Sequence, residues 1–248
     1  MNKLDYIAGM PIHSIERETL INELKILIKA NDKKSQYISI TNTEAMSFGS
    51  MNKTHFDYIN NARFSLCDGI GIKIAAKFHG IQIKRYHGPD MMLDIINAGQ
   101  QYGWSHYFLG GKEGVGEQLK LIFTKKCPEA KIVETYSPPF RELTKKEELE
   151  MITSINACSP DFLWVSLGLP KQENWIMKYK DKLNAKFCIG VGAAFDFHTG
   201  NIKRAPKFYR KLGLEWLYRT AFESRLYVRQ LRGFNFLFKT IFNKKSNF

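Results

Sequence analysis

The chain has 248 residues, 44% hydrophobic and 25% charged, with 37 Lys and Arg against 24 Asp and Glu. This usage excludes collagen-like, coiled-coil and wholly disordered classes, and the length suits one large α/β domain with a small appendage. Twelve of the basic residues, but only Glu215 and Glu223 among the acidic ones, follow Gly200, so an anionic partner is expected near the C-terminal end.

Along the chain, a first helical pattern is expected over 18–30. Short runs rich in β-branched and aromatic residues follow at 37–41, 63–67, 105–109, 131–135, 162–167 and 187–191. They are apolar at most positions instead of alternating, as parallel strands covered on both faces would be. Helical patterns at 44–60, 70–79, 90–102, 113–126, 145–157 and 172–183 separate them. Thr144 and Glu147 have capping-box spacing ahead of the 145–157 segment. The alternation predicts a doubly wound α/β fold over residues 1–200 with a mainly parallel sheet. From 201 to 248 no strand pattern appears, and a basic amphipathic appendage is expected. In its last helix Tyr227, Leu231, Phe234, Phe238 and Ile241 share one face, and Arg225, Arg229 and Arg232 share the opposite one.

Cys67, Cys127, Cys158 and Cys188 form no C-x-x-C pair, which predicts neither a disulfide framework nor a zinc site and fits a reducing cytoplasm. No apolar run approaches the roughly 18 residues of a spanning helix, and no apolar leader opens the chain. Contact with a membrane surface stays open.

Ligands of a doubly wound sheet sit outside the carboxyl ends of its strands, which directs attention to the residues after each run. Thr41 and Asn42 close the first; Asn42 could bind a sugar hydroxyl or cap the helix beginning near Glu44. Asp68 closes the second, followed by Gly69 and Gly71. A carboxylate there could take a proton from an attacking hydroxyl, or the pair Asp68-Gly69 could be only a turn or a cap. Gly110, Gly111, Gly114 and Gly116 open a helix after the third run, which suits a phosphate at a helix N-terminus and equally suits tight packing. No Walker motif, dinucleotide fingerprint or D-x-D occurs, and none of the six His pairs with an acid, so metal-independent chemistry without a cofactor is expected. The C-terminal arginines could clamp a diphosphate, touch anionic lipid, or both. A nucleic-acid-binding module is the rival reading of the basic tail, although the charge is confined to one end and no binding motif appears.

The ordered motifs Asn42-x-Glu44, Asp68-Gly69-x-Gly71, Arg85-x-x-Gly88-x-Asp90, Phe108-Leu109-Gly110-Gly111, Gly168-x-Pro170-Lys171-Gln172-Glu173, Gly190-Val191-Gly192-x-x-Phe195-Asp196, Arg204-Ala205-Pro206 and Gly213-Leu214-Glu215-Trp216-x-x-Arg219 resemble the WecG/TagA/CpsF glycosyltransferase family. The resemblance covers about residues 37–232. It implies a Rossmann-like fold and an inverting, metal-independent transferase. Such an enzyme moves a sugar from a UDP-sugar to a polyprenyl-diphosphate-linked sugar in cell-surface polysaccharide synthesis.

It further implies Asp68 as base, Arg219 as a catalytic arginine, and substrate contacts from Thr41, Asn42, Gly69, Arg85, Gly110, Gly111, Gln172, Arg204, Arg225 and Arg229. Phe195, Asp196 and Arg204 are also read as residues that shape and brace the pocket. The implied partners are a UDP-sugar, a polyprenyl-diphosphate-linked glycan and an anionic membrane at its cytoplasmic face, without nucleic acid; a homo-oligomer stays open. Ile40 stands ahead of Thr41-Asn42 where many relatives have threonine, and whether Thr41 takes that threonine's place stays open. Pro138-Pro139-Phe140 is similar to capsule and exopolysaccharide members. A non-catalytic nucleotide-sugar sensor would require Asp68 to be inert. The donor sugar stays open among N-acetylmannosamine, its uronic acid and a hexose.

Overall fold

In a computed structural model, which describes residues 3–30, 34–206, 208–209, 214–222 and 226–242, all six expected strands form. They are β3 (Gln36–Thr41), β4 (Phe64–Cys67), β5 (Ser105–Gly110), β6 (Lys131–Tyr136), β7 (Phe162–Ser166) and β8 (Phe187–Gly190). Two further strands precede them, β1 (Lys3–Ile7) and β2 (Met10–Ser14). The sheet runs β1-β2-β4-β3-β8-β7-β5-β6 and is mostly parallel, with β1 and β2 forming an antiparallel hairpin. This is a Rossmann-like α/β fold.

The hairpin was not expected from the sequence. Ala8 and Gly9 turn it with φ of 49° and 72°, and a non-glycine residue at positive φ is a weak turn signal. Pro11 lies within β2, where a missing N–H argues against strand.

The helices are α1 (Arg17–Lys29), α2 (Thr43–Gly49), α3 (Lys53–Asn60), α4 (Ile70–Phe78), α5 (Gly88–Gly99), α6 (Val115–Lys126), α7 (Lys145–Cys158), α8 (Lys171–Tyr179) and α9 (Ala194–Thr199). The pattern over 44–60 resolves into two helices because Asn52 starts a new one, its Oδ1 accepting the His55 N–H at 2.9 Å. Thr144 and Glu147 form the expected capping box at α7. After residue 200 the described elements are helical, α10 (Glu215–Phe222) and α11 (Leu226–Phe242). Among the described residues no helix is long and apolar enough to cross a membrane.

The chain divides into two compact units: Met1–Glu16, Ser39–His87 and Lys203–Phe248 form the first, and Arg17–Ile38 and Gly88–Ile202 the second. In the second, Gln36, Tyr37 and Ile38 pair in parallel with Phe187, Cys188 and Ile189. Tyr107, Phe108, Phe162, Trp164 and Phe187 are fully buried there, as both-face coverage of parallel strands requires. His55 in the first unit and His106 in the second are core residues; burial pushes them down to about 4 and about 3, so both stay neutral.

Candidate functional site

In the first unit the ends of β3 and β4 carry Thr41, Asn42, Asp68 and Gly69 side by side. The Asp68 N–H donates to Thr41 O at 2.8 Å, which ties residue 68, one position past the end of β4, to the end of β3. Thr41 is fully buried, and its hydroxyl lies 2.9 Å from both Ser39 Oγ and Ser65 Oγ. It braces the two strands from inside. Asn42 caps α2, its Oδ1 accepting the Ala45 N–H at 2.9 Å, and this bond leaves the amide nitrogen of the same side chain as a donor. Gly69 caps α4 at φ +113°, a left-handed backbone that carries the chain from strand to helix immediately after the acid. Burial, then the Asp68 charge, push the neighbouring Cys67 thiol up to about 12, so Cys67 is no nucleophile.

Arg85 lies on the segment 81–87, which is tied to β4 where Tyr86 N–H donates to Cys67 O at 2.8 Å. Two residues on, His87 Nε2 meets Glu215 Oε2 at 3.0 Å and Nδ1 meets Arg204 Nη2 at 3.2 Å. Arg204 Nε is 3.6 Å from Glu215 Oε1, which also accepts the Ala205 N–H at 3.4 Å. Arg204 is therefore held in a charge cluster at the start of α10. Arg225 lies outside the described residues, and Arg219 and Arg229 are described only as backbone positions of α10 and α11.

α11 packs on α2 and α4 through its small residues. Gly233 is buried against Thr43, Ser47 Oγ donates to Arg232 O at 3.4 Å, and His79 Nε2 donates to Thr240 O at 2.8 Å. That seat turns the aromatic face outward: Tyr227, Leu231, Phe234 and Phe238 are 62%, 56%, 46% and 63% exposed. Arg232 and Lys239 flank them, also exposed.

In the second unit, the ends of β5, β7 and β8 carry Gly110, Gly111, Ser166 and Gly192. Gly111 N–H donates to Ser166 O at 3.1 Å, and Ser166 Oγ donates to Gly192 O at 2.6 Å. Gln172, buried at the first turn of α8, accepts the Gly192 N–H at 3.0 Å and donates to Glu173 Oε1 at 2.8 Å. Its amide orientation is thereby set by hydrogen bonds at both ends. Phe195 is buried edge-on to Phe108 and Asp196 O accepts the Ile202 N–H at 3.1 Å, so both brace this unit.

Gly110 sits at φ +112°, where a Cβ would meet Ser166 O at 2.4 Å. Gly110→Ala is expected to cost about 3 kcal/mol or more, from left-handed strain plus the clash with backbone. Gly114→Ala has φ +81° and open space, and is expected to cost only about 1–2 kcal/mol. Thermal unfolding of the two variants distinguishes them; equal losses would mean that the strand contact is not tight.

Sequence reasoning did not single out His87 or Glu215 as site residues. A histidine two positions after Arg85 and an acid opening a basic helix are each unremarkable alone, and only the fold pairs them. Among the described residues, no three His, Cys, Asp or Glu side chains are grouped so as to hold a metal ion.

Residues 6–247 match the Glycosyl transferase WecG/TagA/CpsF family. The chain is 24% identical over 214 residues to the N-acetylglucosaminyldiphosphoundecaprenol N-acetyl-beta-D-mannosaminyltransferase of Staphylococcus aureus strain MRSA252, covering 86% of this chain and 82% of that protein. The protein of the same name from strain NCTC 8325 / PS 47 is 23% identical over the same shares. With the match extending across nearly all of the chain, including the strand-end acid and the helices after residue 200, the protein belongs to the WecG/TagA/CpsF glycosyltransferase family.

Proposed function

We propose that this protein transfers a sugar, with inversion at the anomeric carbon, from a UDP-sugar to a sugar carried on a polyprenyl diphosphate. The observation that carries the reading is the seat of Asp68: one residue past β4, hydrogen-bonded through its backbone to the end of β3, and directly before the glycine cap of α4. The similar staphylococcal proteins are named for a polyprenyl-diphosphate acceptor and an N-acetylmannosaminyl group, which supports the acceptor class and makes N-acetylmannosamine the first donor to try.

Asp68 takes the proton of the acceptor hydroxyl as that oxygen bonds to the anomeric carbon, and the bond from this carbon to the UDP oxygen breaks on the opposite face. The departing diphosphate keeps the electron pair of that bond. Positive side chains offset its charge; Arg85, Arg204, Arg219, Arg225 and Arg229 are the candidates, and no metal is assigned. Asn42, through its free amide donor, orients substrate hydroxyls, while Gln172, buried with both ends of its amide engaged, holds the Gly192 turn in shape. Thr41 serves them from behind by bracing the strand ends, and the Gly69, Gly110 and Gly111 backbones admit close approach.

The outward aromatic face of α11, flanked by Arg232 and Lys239, supports peripheral attachment to an anionic membrane, where a polyprenyl substrate resides. The residues from 201 onward are read as the part that brings the catalytic domain to that surface. Cell-surface polysaccharide synthesis at the cytoplasmic face of the membrane is the corresponding setting.

The test incubates the full chain with a panel of UDP-sugars, UDP-N-acetylmannosamine among them, and a short-chain polyprenyl-diphosphate N-acetylglucosamine. The expected product is heavier by one sugar, β-linked if an α-linked donor was consumed, with one UDP released per transfer. Absence of glycosylated lipid with every donor, or UDP release without it, would overturn the reading.

A further inference from the structure

α11 has α4 as a neighbour along its length. At one end, Gly233 of α11 and Gly71 in the first turn of α4 both lie against Thr43. At the other, His79, which caps α4, bonds Thr240 O through Nε2 at 2.8 Å. Between these anchor points α4 advances roughly 12 Å and α11 roughly 10 Å, so the two helices lie side by side and run in the same direction.

α4 turns Ile72, Ala75 and Ala76 into the core and leaves Lys73, Ile74, Lys77 and Phe78 exposed. Ile74 and Phe78 are one helical turn apart and stand on the same face, and Phe78, 67% exposed, directly precedes the His79 link to α11. Phe234, Phe238 and Phe242 repeat that spacing on α11 and are exposed as well. Neither helix contains an aspartate or glutamate, while Lys73, Lys77, Arg232 and Lys239 stand exposed on them.

We propose that α4 is the second helix of the membrane-contact surface: Ile74 and Phe78 enter the interface beside the aromatic face of α11, and Lys73 and Lys77 meet anionic headgroups. This rests on the reading of α11 as the attached helix. Anionic lipid answers both features, since acyl chains take the apolar side chains and phosphates take the lysines. A second copy of the chain fits less well, because a two-fold contact would set these lysines and arginines against their own counterparts. One helix lying in an interface is free to roll about its axis, and a second beside it fixes the tilt. Asp68 directly precedes Gly69, the cap of α4, and α4 is roughly 13 Å long, so the helix sets the distance between the acid and the apolar end at Phe78.

The experiment measures binding of the full chain and its variants to vesicles of phosphatidylcholine with and without phosphatidylglycerol. Ile74→Glu with Phe78→Glu is expected to weaken binding to the anionic vesicles by about 10²-fold, through lost apolar burial and added repulsion. Lys73→Gln with Lys77→Gln is expected to weaken it by about 10- to 30-fold on anionic vesicles alone, leaving binding to neutral ones unchanged. Both pairs are exposed, so transfer to an acceptor dispersed in detergent should stay within about 2-fold of the parent chain.

Ile74→Glu with Phe78→Glu binding anionic vesicles as tightly as the parent would overturn the proposal. So would a variant that loses an oligomer while keeping its lipid binding, which would give the face to a second copy. If that variant fails to fold, as judged by thermal unfolding, the lysine pair decides: unchanged affinity overturns the proposal, and a loss confined to anionic vesicles supports it. Leu231→Glu with Phe238→Glu separates the two levels. A parent chain that ignores both kinds of vesicle ends the membrane reading itself, whereas binding lost with the α11 pair and kept with the α4 pair ends only the role of α4.

Discussion

Asp68→Asn is expected to lower kcat by about 10²- to 10⁴-fold, the usual contribution of a positioned general base, while UDP still protects the protein against thermal unfolding as well as before. Asparagine preserves the size of the side chain and one acceptor oxygen but cannot take a proton. The backbone bond from residue 68 to Thr41 O is untouched by the substitution, so the strand ends keep their register. Turnover within a few-fold of normal would place the base elsewhere and leave the glycine cap after Asp68 as simple turn chemistry.

The double variant Leu231→Glu and Phe238→Glu is expected to weaken binding to vesicles containing anionic lipid by about 10²- to 10⁴-fold. Both side chains stand out from α11, more than half exposed, on the face turned away from Gly233 and Thr240. Burying a fully exposed large apolar side chain contributes about 1.5–3 kcal/mol, of which a little over half is available at these partly covered positions, and each introduced carboxylate is repelled by an anionic surface at roughly 1 kcal/mol. Because these positions support no core, the thermal midpoint should hardly move. Transfer to a short-chain acceptor dispersed in detergent should survive, whereas transfer to acceptor embedded in vesicles should fall with the binding. Sedimentation with vesicles unchanged from the parent chain would remove this face from membrane attachment.

Much of the fold could be read locally. The runs that became β5, β7 and β8 are apolar at nearly every position because both faces are covered, and the Thr144–Glu147 cap needs only three residues to specify itself. The placement of Asp68 followed from the same logic, since a residue directly after a parallel strand must lie at its carboxyl end. Where local signals conflicted, reading failed. Pro11 and an alanine at positive φ masked the first hairpin, and the turn before Asn52 was submerged in a continuous helical pattern.

Composition and short-range order, then, determined the strand-and-helix alternation, the identity of the strand-end loops and the aromatic face of the final helix, because each depends on neighbours within a turn or a pleat. Only the tertiary structure decided that Thr41 turns its hydroxyl inward to Ser39 and Ser65, that Gly233 and Thr240 seat α11 with its aromatics outward, and that Arg204 reaches His87 across 117 positions of chain. Those pairings depend on the path of the backbone, which brings distant charges within about 3 Å and removes water from around them.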